Sequence, residues 1–223
     1  MSNKEQKDND NRFVKVSQFV TDNVNSLAII GVAIVLLLLL YLGYQRFYLV
    51  PRAEKAANEM FKAEQYAAVD SSADKAIQGD GSYPGFEKIA KEYSNTKSAN
   101  LANVYLGGLY LKKGEFQKAI DALGKYSSTG SPIIDPLVLG MLGDAYSELK
   151  DYNKAITYYQ KAVDKVPNDF TSPLFLKKLG LVYEEQKDYK GASKVYARIK
   201  TDYPNSNEAS MISAYIARVD AHL

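Results

Sequence analysis

The sequence has no cysteine, no tryptophan and a single histidine among its 223 residues. Without thiols there is no disulfide framework, no thiolate metal site and no cysteine nucleophile, and the chain suits an oxidising or a reducing compartment equally. The one histidine, His222, is next to last, where a fraying end rarely holds a catalytic base. No histidine or acidic cluster has metal-ligand spacing, and Asp144 with Glu148 reads as an exposed i, i+4 pair on a helix. The glycine stretches GDGS (79–82) and GGLY (107–110) lack the spacing of a phosphate-binding loop and its Lys-Ser/Thr. A charge of one sign is missing too. Lys plus Arg number 28 and Asp plus Glu 26, interspersed without a basic block, so a nucleic-acid surface is not indicated. These absences leave no catalytic residue, metal or cofactor to assign.

What is present begins with a long apolar run. Residues 27–44 read LAIIGVAIVLLLLLYLGY, free of charge and roughly 27 Å long as a helix, close to the thickness of a bilayer's hydrocarbon core. Tyr41, Tyr44, Phe47 and Tyr48 gather at one end with Arg46 and Arg52, the aromatic and basic belt of a helix leaving lipid. Pro51 marks the start of a new helix. The region ahead of the run is too long for a cleaved signal peptide and no small-x-small site follows, so 27–48 is read as an uncleaved transmembrane anchor in the lipid bilayer. Lys7, Arg12 and Lys15 precede it, and Arg46, Arg52, Lys55 and Lys62 follow it, so charge does not fix orientation. Residues 1–26 form a short polar tail. Within it Phe13, Val16, Val20 and Val24 share a helical stripe, either an amphipathic helix along the membrane surface or a lead-in to the span.

The remainder repeats itself. LGGLYLKKGEFQKAIDAL (106–123), LGDAYSELKDYNKAITYY (142–159) and LGLVYEEQKDYKGASKVY (179–196) align at offsets of 36 and 37 residues. The shared skeleton is Gly107, Gly143 and Gly180; Tyr110, Tyr146 and Tyr183; Phe116, Tyr152 and Tyr189; Ala119, Ala155 and Ala192. Gly and Ala belong where two antiparallel helices cross closely, the aromatics fill space between helix pairs, and Pro167 and Pro204 close the last two repeats. Upstream, Ala53, Ala57, Met60, Phe61, Glu64 and Ala68 stand in helical register, and 86–93 reads as a short helix. At the far end Ile212, Tyr215, Ile216, Val219 and Leu223 share one face, the pattern of a capping helix.

These residues resemble the tetratricopeptide repeat family, and 136–169 matches its pattern nearly throughout with Leu142, Gly143, Tyr146, Ala155, Tyr159, Ala162 and Pro167. Two departures stand out. Lys150 and Lys187 replace the turn glycine that Gly114 retains, and Tyr126 and Ile199 occupy the place of the small closing Ala. The connection 126–136, rich in Ser, Gly and Pro, predicts a local irregularity in the stack. The expected fold is all-α: one transmembrane helix, then an α-solenoid over 51–223 with a degenerate repeat at 51–96, repeats at about 100–129, 136–169 and 173–206, and a cap at 207–223.

In that family the first helices of successive repeats line a concave groove. Carried over by position, its lining is Val104, Gly108 and Lys112, then Gly140, Asp144 and Glu148, then Lys177, Leu181 and Glu185. Members that clamp acidic tails use Lys and Asn there; the acidic and apolar residues in this groove disfavour that role and suit an extended apolar segment or a folded partner. The whole-chain architecture resembles the YfgM-like ancillary subunits of the bacterial Sec translocon. That resemblance implies a single-pass protein of the inner membrane with a cytoplasmic N-terminus and a periplasmic repeat domain. It also implies translocon subunits, a PpiD-like chaperone and nascent secretory proteins as partners, in chaperone-like support of protein translocation. The alternative is a structural scaffold that recruits one folded partner into a cell-envelope assembly complex.

Overall fold

The computed structural model describes Val14 and residues 18–223. Phe13, Val16 and most of the polar tail lie outside the described residues; 18–22 are helical, with Phe19 and Val20 exposed. The chain divides into two compact units, the first ending at Arg52 and the second running Ala53–Leu223.

In the first unit, helix α1 spans Val24–Tyr44, and none of its 21 residues is buried. At 1.5 Å per residue it measures about 31 Å, and it lies in the one stretch among the described residues long and apolar enough to cross a membrane. A π-turn, Gln45–Leu49, follows directly, with the Val50 N–H bonded to the Gln45 carbonyl five residues back. The cause lies just ahead. Pro51 has no N–H to give and its ring crowds the preceding turn, and a widened turn accommodates both defects without ending the helix. Instead of the fresh start expected at Pro51, α2 takes over at Val50 and runs to Ala67. Tyr44 stacks on Tyr48 at 5.1 Å, and the Arg52 guanidinium sits 5.7 Å from the Tyr48 ring.

In the second unit, Ala56, Met60 and Ala63 form the buried face of α2. Of the register read from the sequence, Ala53, Ala57, Met60, Phe61, Glu64 and Ala68, Met60 lies on that face. The structure leaves Phe61 63% exposed, because the inward stripe is rotated by one residue. Short helices α3 (Ala73–Gln78) and α4 (Phe86–Glu92) follow, separated by a glycine-bearing turn in which the Asp80 carboxylate accepts from the Ser82 and Tyr83 amides and the Tyr66 hydroxyl. That use as a turn accounts for GDGS.

Three helix pairs then stack in sequence: α5 (Lys97–Lys112) with α6 (Phe116–Leu123), α7 (Ile134–Glu148) with α8 (Tyr152–Lys165), and α9 (Ser172–Glu185) with α10 (Tyr189–Asp202). Helix α11 (Ala209–Asp220) closes the stack against α10, burying Ile212 and Val219 while Leu223 stays 71% exposed. The helices α8 and α10 end two residues before Pro167 and Pro204, as expected for a residue that cannot continue the ladder. Among the described residues no strand forms.

The glycine of each repeat has a visible reason. A Cβ on Gly143 would lie 2.6 Å from the Tyr159 ring, on Gly180 2.2 Å from the Tyr196 ring, and on Gly107 2.3 Å from the Leu123 side chain. The partner in each case comes from the second helix of the same pair, so the missing side chain sets how closely the pair can cross.

The turns within the pairs are equally uniform. Gly114, Lys150 and Lys187 have φ of 73°, 60° and 59°, all in the left-handed region. The amides that follow them, of Glu115, Asp151 and Asp188, reach back to the Tyr110, Tyr146 and Tyr183 carbonyls at 2.8–2.9 Å, while Gly114, Lys150 and Lys187 bond to Leu111, Ser147 and Glu184. These two bonds define the Schellman close of a helix, which ordinarily selects glycine. Asp151 and Asp188 then cap the next helix through the Lys154 and Gly191 amides.

Only the first pair departs from this plan. Helix α6 has 8 residues against 14 in α8 and α10, and Tyr126 lies beyond its end. There its hydroxyl donates to Asp135 at 2.6 Å. Asp135 is 2% exposed and also accepts from the Ser128 hydroxyl and the Thr129 and Gly130 amides, so one carboxylate organises the whole irregular connection. Burial works to raise its carboxyl; the four hydrogen bonds outweigh burial and hold it at about 2. Asn100 pins the same connection to α5 through two bonds of 2.8 Å with Ser127.

Candidate interaction groove

The first helices of the pairs, α5, α7 and α9, present two open cavities. One, of about 570 Å³, lies towards their C-terminal ends and is lined by Leu111, Lys112 and Phe116, by Asp144, Ser147, Glu148 and Tyr159, and by Lys178, Leu181, Val182 and Glu185. The other, of about 580 Å³, is lined by Leu101, Val104, Tyr105, Gly108 and Lys112 of α5, by Ile134, Leu137 and Met141 of α7, and by Glu64 and Ala67 of α2. Lys112 lines both. The second cavity is predominantly apolar, with Glu64 and Lys112 its only charged neighbours among the described residues; the first carries three carboxylates and two ammonium groups.

These charges are not equivalent. Asp144 is half-buried and engaged: the Lys178 ammonium donates to both its oxygens at 2.7 Å and the Tyr159 hydroxyl donates at 2.6 Å. The exposed i, i+4 pairing of Asp144 with Glu148 is therefore corrected. Asp144 turns across the groove because a cation from the next repeat and a hydroxyl from its own second helix lie within reach. Burial and the Asp144 carboxylate push the Tyr159 hydroxyl far up, so it remains a donor. The same construction recurs one repeat on. Tyr196 donates to Glu184 at 2.6 Å, and Arg218 of α11 grips Glu184 with two bonds of 2.9 and 2.7 Å. Burial acts to raise the Glu184 carboxyl, and Arg218 with Tyr196 overcomes it and holds the group low. The second pair is thus tied to the third, and the third to α11, through a tyrosine, an acid and a cation on three successive helices. His222, expected in a solvated tail, stacks on Tyr189 at 4.4 Å.

Most of the residues assigned by position come together. Gly108 and Lys112, Asp144 and Glu148, and Leu181 and Glu185 all line one or both cavities. The remaining level, Val104, Gly140 and Lys177, behaves differently. Val104 is buried but touches the apolar cavity; Gly140 and Lys177 line neither. A Cβ on Gly140 would fall 1.9 Å from the Phe175 ring, so this glycine seats the first helix of the next pair. The cavity-facing residues at that level are one position later, Tyr105, Met141 and Lys178. A signal existed: glycine inside a helix marks close backbone approach, which argues for a packed rather than an open position.

Two models of the tetratricopeptide repeat match this sequence, one over 136–169, which holds α7 and α8, and one over 178–206, which begins within α9 and takes in α10. The chain carries tetratricopeptide repeats. No curated protein matches it. Tetratricopeptide repeats stack into concave surfaces that bind other proteins, and this chain presents its two cavities on the corresponding helices.

Proposed function

We propose that this protein is a single-pass, membrane-anchored interaction module that holds a polypeptide partner along α5, α7 and α9. The observation that carries the reading is the pair of adjoining cavities on those helices, joined at Lys112, in a chain whose N-terminal helix is long and apolar enough to span a bilayer. We further infer an accessory role at the Sec translocon, with the repeat domain on the periplasmic side of a bacterial inner membrane beside a PpiD-like chaperone, and transient contact with exported chains. The supports are the order of a polar tail, one span and a repeat domain, and a groove with an apolar cavity suited to extended segments.

The test is photocrosslinking in native membranes, with benzoylphenylalanine at Lys112 and at Leu181 and mass spectrometry of the adducts. Translocon subunits together with diverse secretory chains are the expected products. A single folded envelope protein in stoichiometric yield, with no channel subunit, overturns the accessory role in favour of a scaffold.

A further inference from the structure

The two cavities differ in chemistry, and the difference specifies the occupant. Along α7, Leu137 and Met141 face the apolar cavity, and Glu148 lies seven residues beyond Met141 in the other. In that charged cavity the Asp144 carboxylate is met by Lys178. Glu148 and Glu185, both exposed, form no ion pair among the described residues. A partner seated here therefore meets an apolar cavity and, beyond it, two exposed carboxylates, with Lys112 on the boundary between the two cavities.

Resting on the proposed groove, we propose that its preferred occupant is an extended segment with an apolar side chain followed three residues later by Lys or Arg. The apolar residue enters between Leu101, Val104 and Met141, and the cation lies between Glu148 and Glu185. Seven residues of helix α7 rise roughly 10 Å. Three residues of extended chain cover the same distance. Charge complementarity selects a cation, because an acidic residue placed between Glu148 and Glu185 would join two like charges, and the Lys178 ammonium is already engaged by Asp144. Lys112, on the boundary, stands beside the backbone of such a segment.

The test uses the full chain in detergent and the fluorescein-labelled peptide Ser-Phe-Leu-Gly-Ser-Arg-Arg-Ser, titrated by anisotropy at low and at physiological salt. Two further peptides replace both Arg by Glu, or Phe-Leu by Ser-Ser. The expected result is that the Arg peptide binds about tenfold or more tightly than the Glu peptide, that salt narrows the gap, and that E148Q with E185Q removes it. Both glutamates are exposed, so these variants leave the fold intact. Equal binding of Arg and Glu peptides, abolished by Ser-Ser, overturns the charge selection and leaves the groove standing. Failure of every peptide to bind while crosslinks form at Leu181 overturns the segment chemistry alone, and failure of both overturns the groove as well.

Discussion

The first helix pair and the two that follow are built from one repeat and held by different means. In α7/α8 and α9/α10 an aromatic ring lies on the repeat glycine, and its hydroxyl joins an acid–cation bridge to the next helix: Tyr159 with Asp144 and Lys178, Tyr196 with Glu184 and Arg218. In α5/α6 the ring is replaced by Leu123, which has no hydroxyl to give. The bridge is replaced by the Asp135 network in the connection after a shortened α6. The repeat models match the second and third pairs, the two that keep the aromatic. The lesson is that a solenoid tolerates a lost inter-repeat bridge where a connection supplies equivalent hydrogen bonds.

The largest expected effect comes from the repeat glycines. Gly180→Ala and Gly143→Ala each drive a methyl group into a rigid ring and should cost about 2–3 kcal/mol, whereas Gly107→Ala meets an aliphatic side chain with rotameric freedom and should cost about half as much. Urea midpoints of the detergent-solubilised chain, followed by circular dichroism, check the ranking. Equal losses at all three would remove the distinction between ring and aliphatic partner.

Next is Asp135→Asn, expected to cost about 2 kcal/mol at pH 7. The folded carboxyl titrates at about 2, below its ordinary value of 3.8, so its contribution is full above pH 4 and is lost as pH falls through 2. The gap between Asn and native proteins should close over that window, which unfolding measured at pH 7, 4, 3 and 2 would follow.

A double-mutant cycle on Asp144→Asn and Lys178→Met should return a coupling of about 1 kcal/mol for this half-buried pair, lowered by salt. The smallest effects belong to the turns. Lys150→Gly and Lys187→Gly should each gain about 0.5–1 kcal/mol by relieving a left-handed residue, and Gly114→Lys should lose a similar amount.

The repeated helix pairs were legible because their determinants are local and periodic: Gly143, Tyr146, Ala155 and Pro167 recur at fixed offsets and act through neighbours in the same pair. That Gly108 and Leu181, and Lys112 and Glu185, would line cavities on the first helices was legible for the same reason. The level of Gly140 and Lys177 was not, since a rotation of one residue decides between Phe175 packing and the open cavity. The Asp135 network joins residues 126–130 to the start of α7 through hydrogen bonds that leave no periodic trace. The π-turn before Pro51 shifts one hydrogen bond, which hydropathy does not record.

We propose that the face of α5, α7 and α9 holds a polypeptide partner. The most direct measurement compares photocrosslinking in membranes from Leu181, on that face, with Lys161, exposed on α8. Polypeptide adducts at Leu181 and none at Lys161 are predicted; equal yields from the two positions, or adducts confined to Lys161, would contradict it.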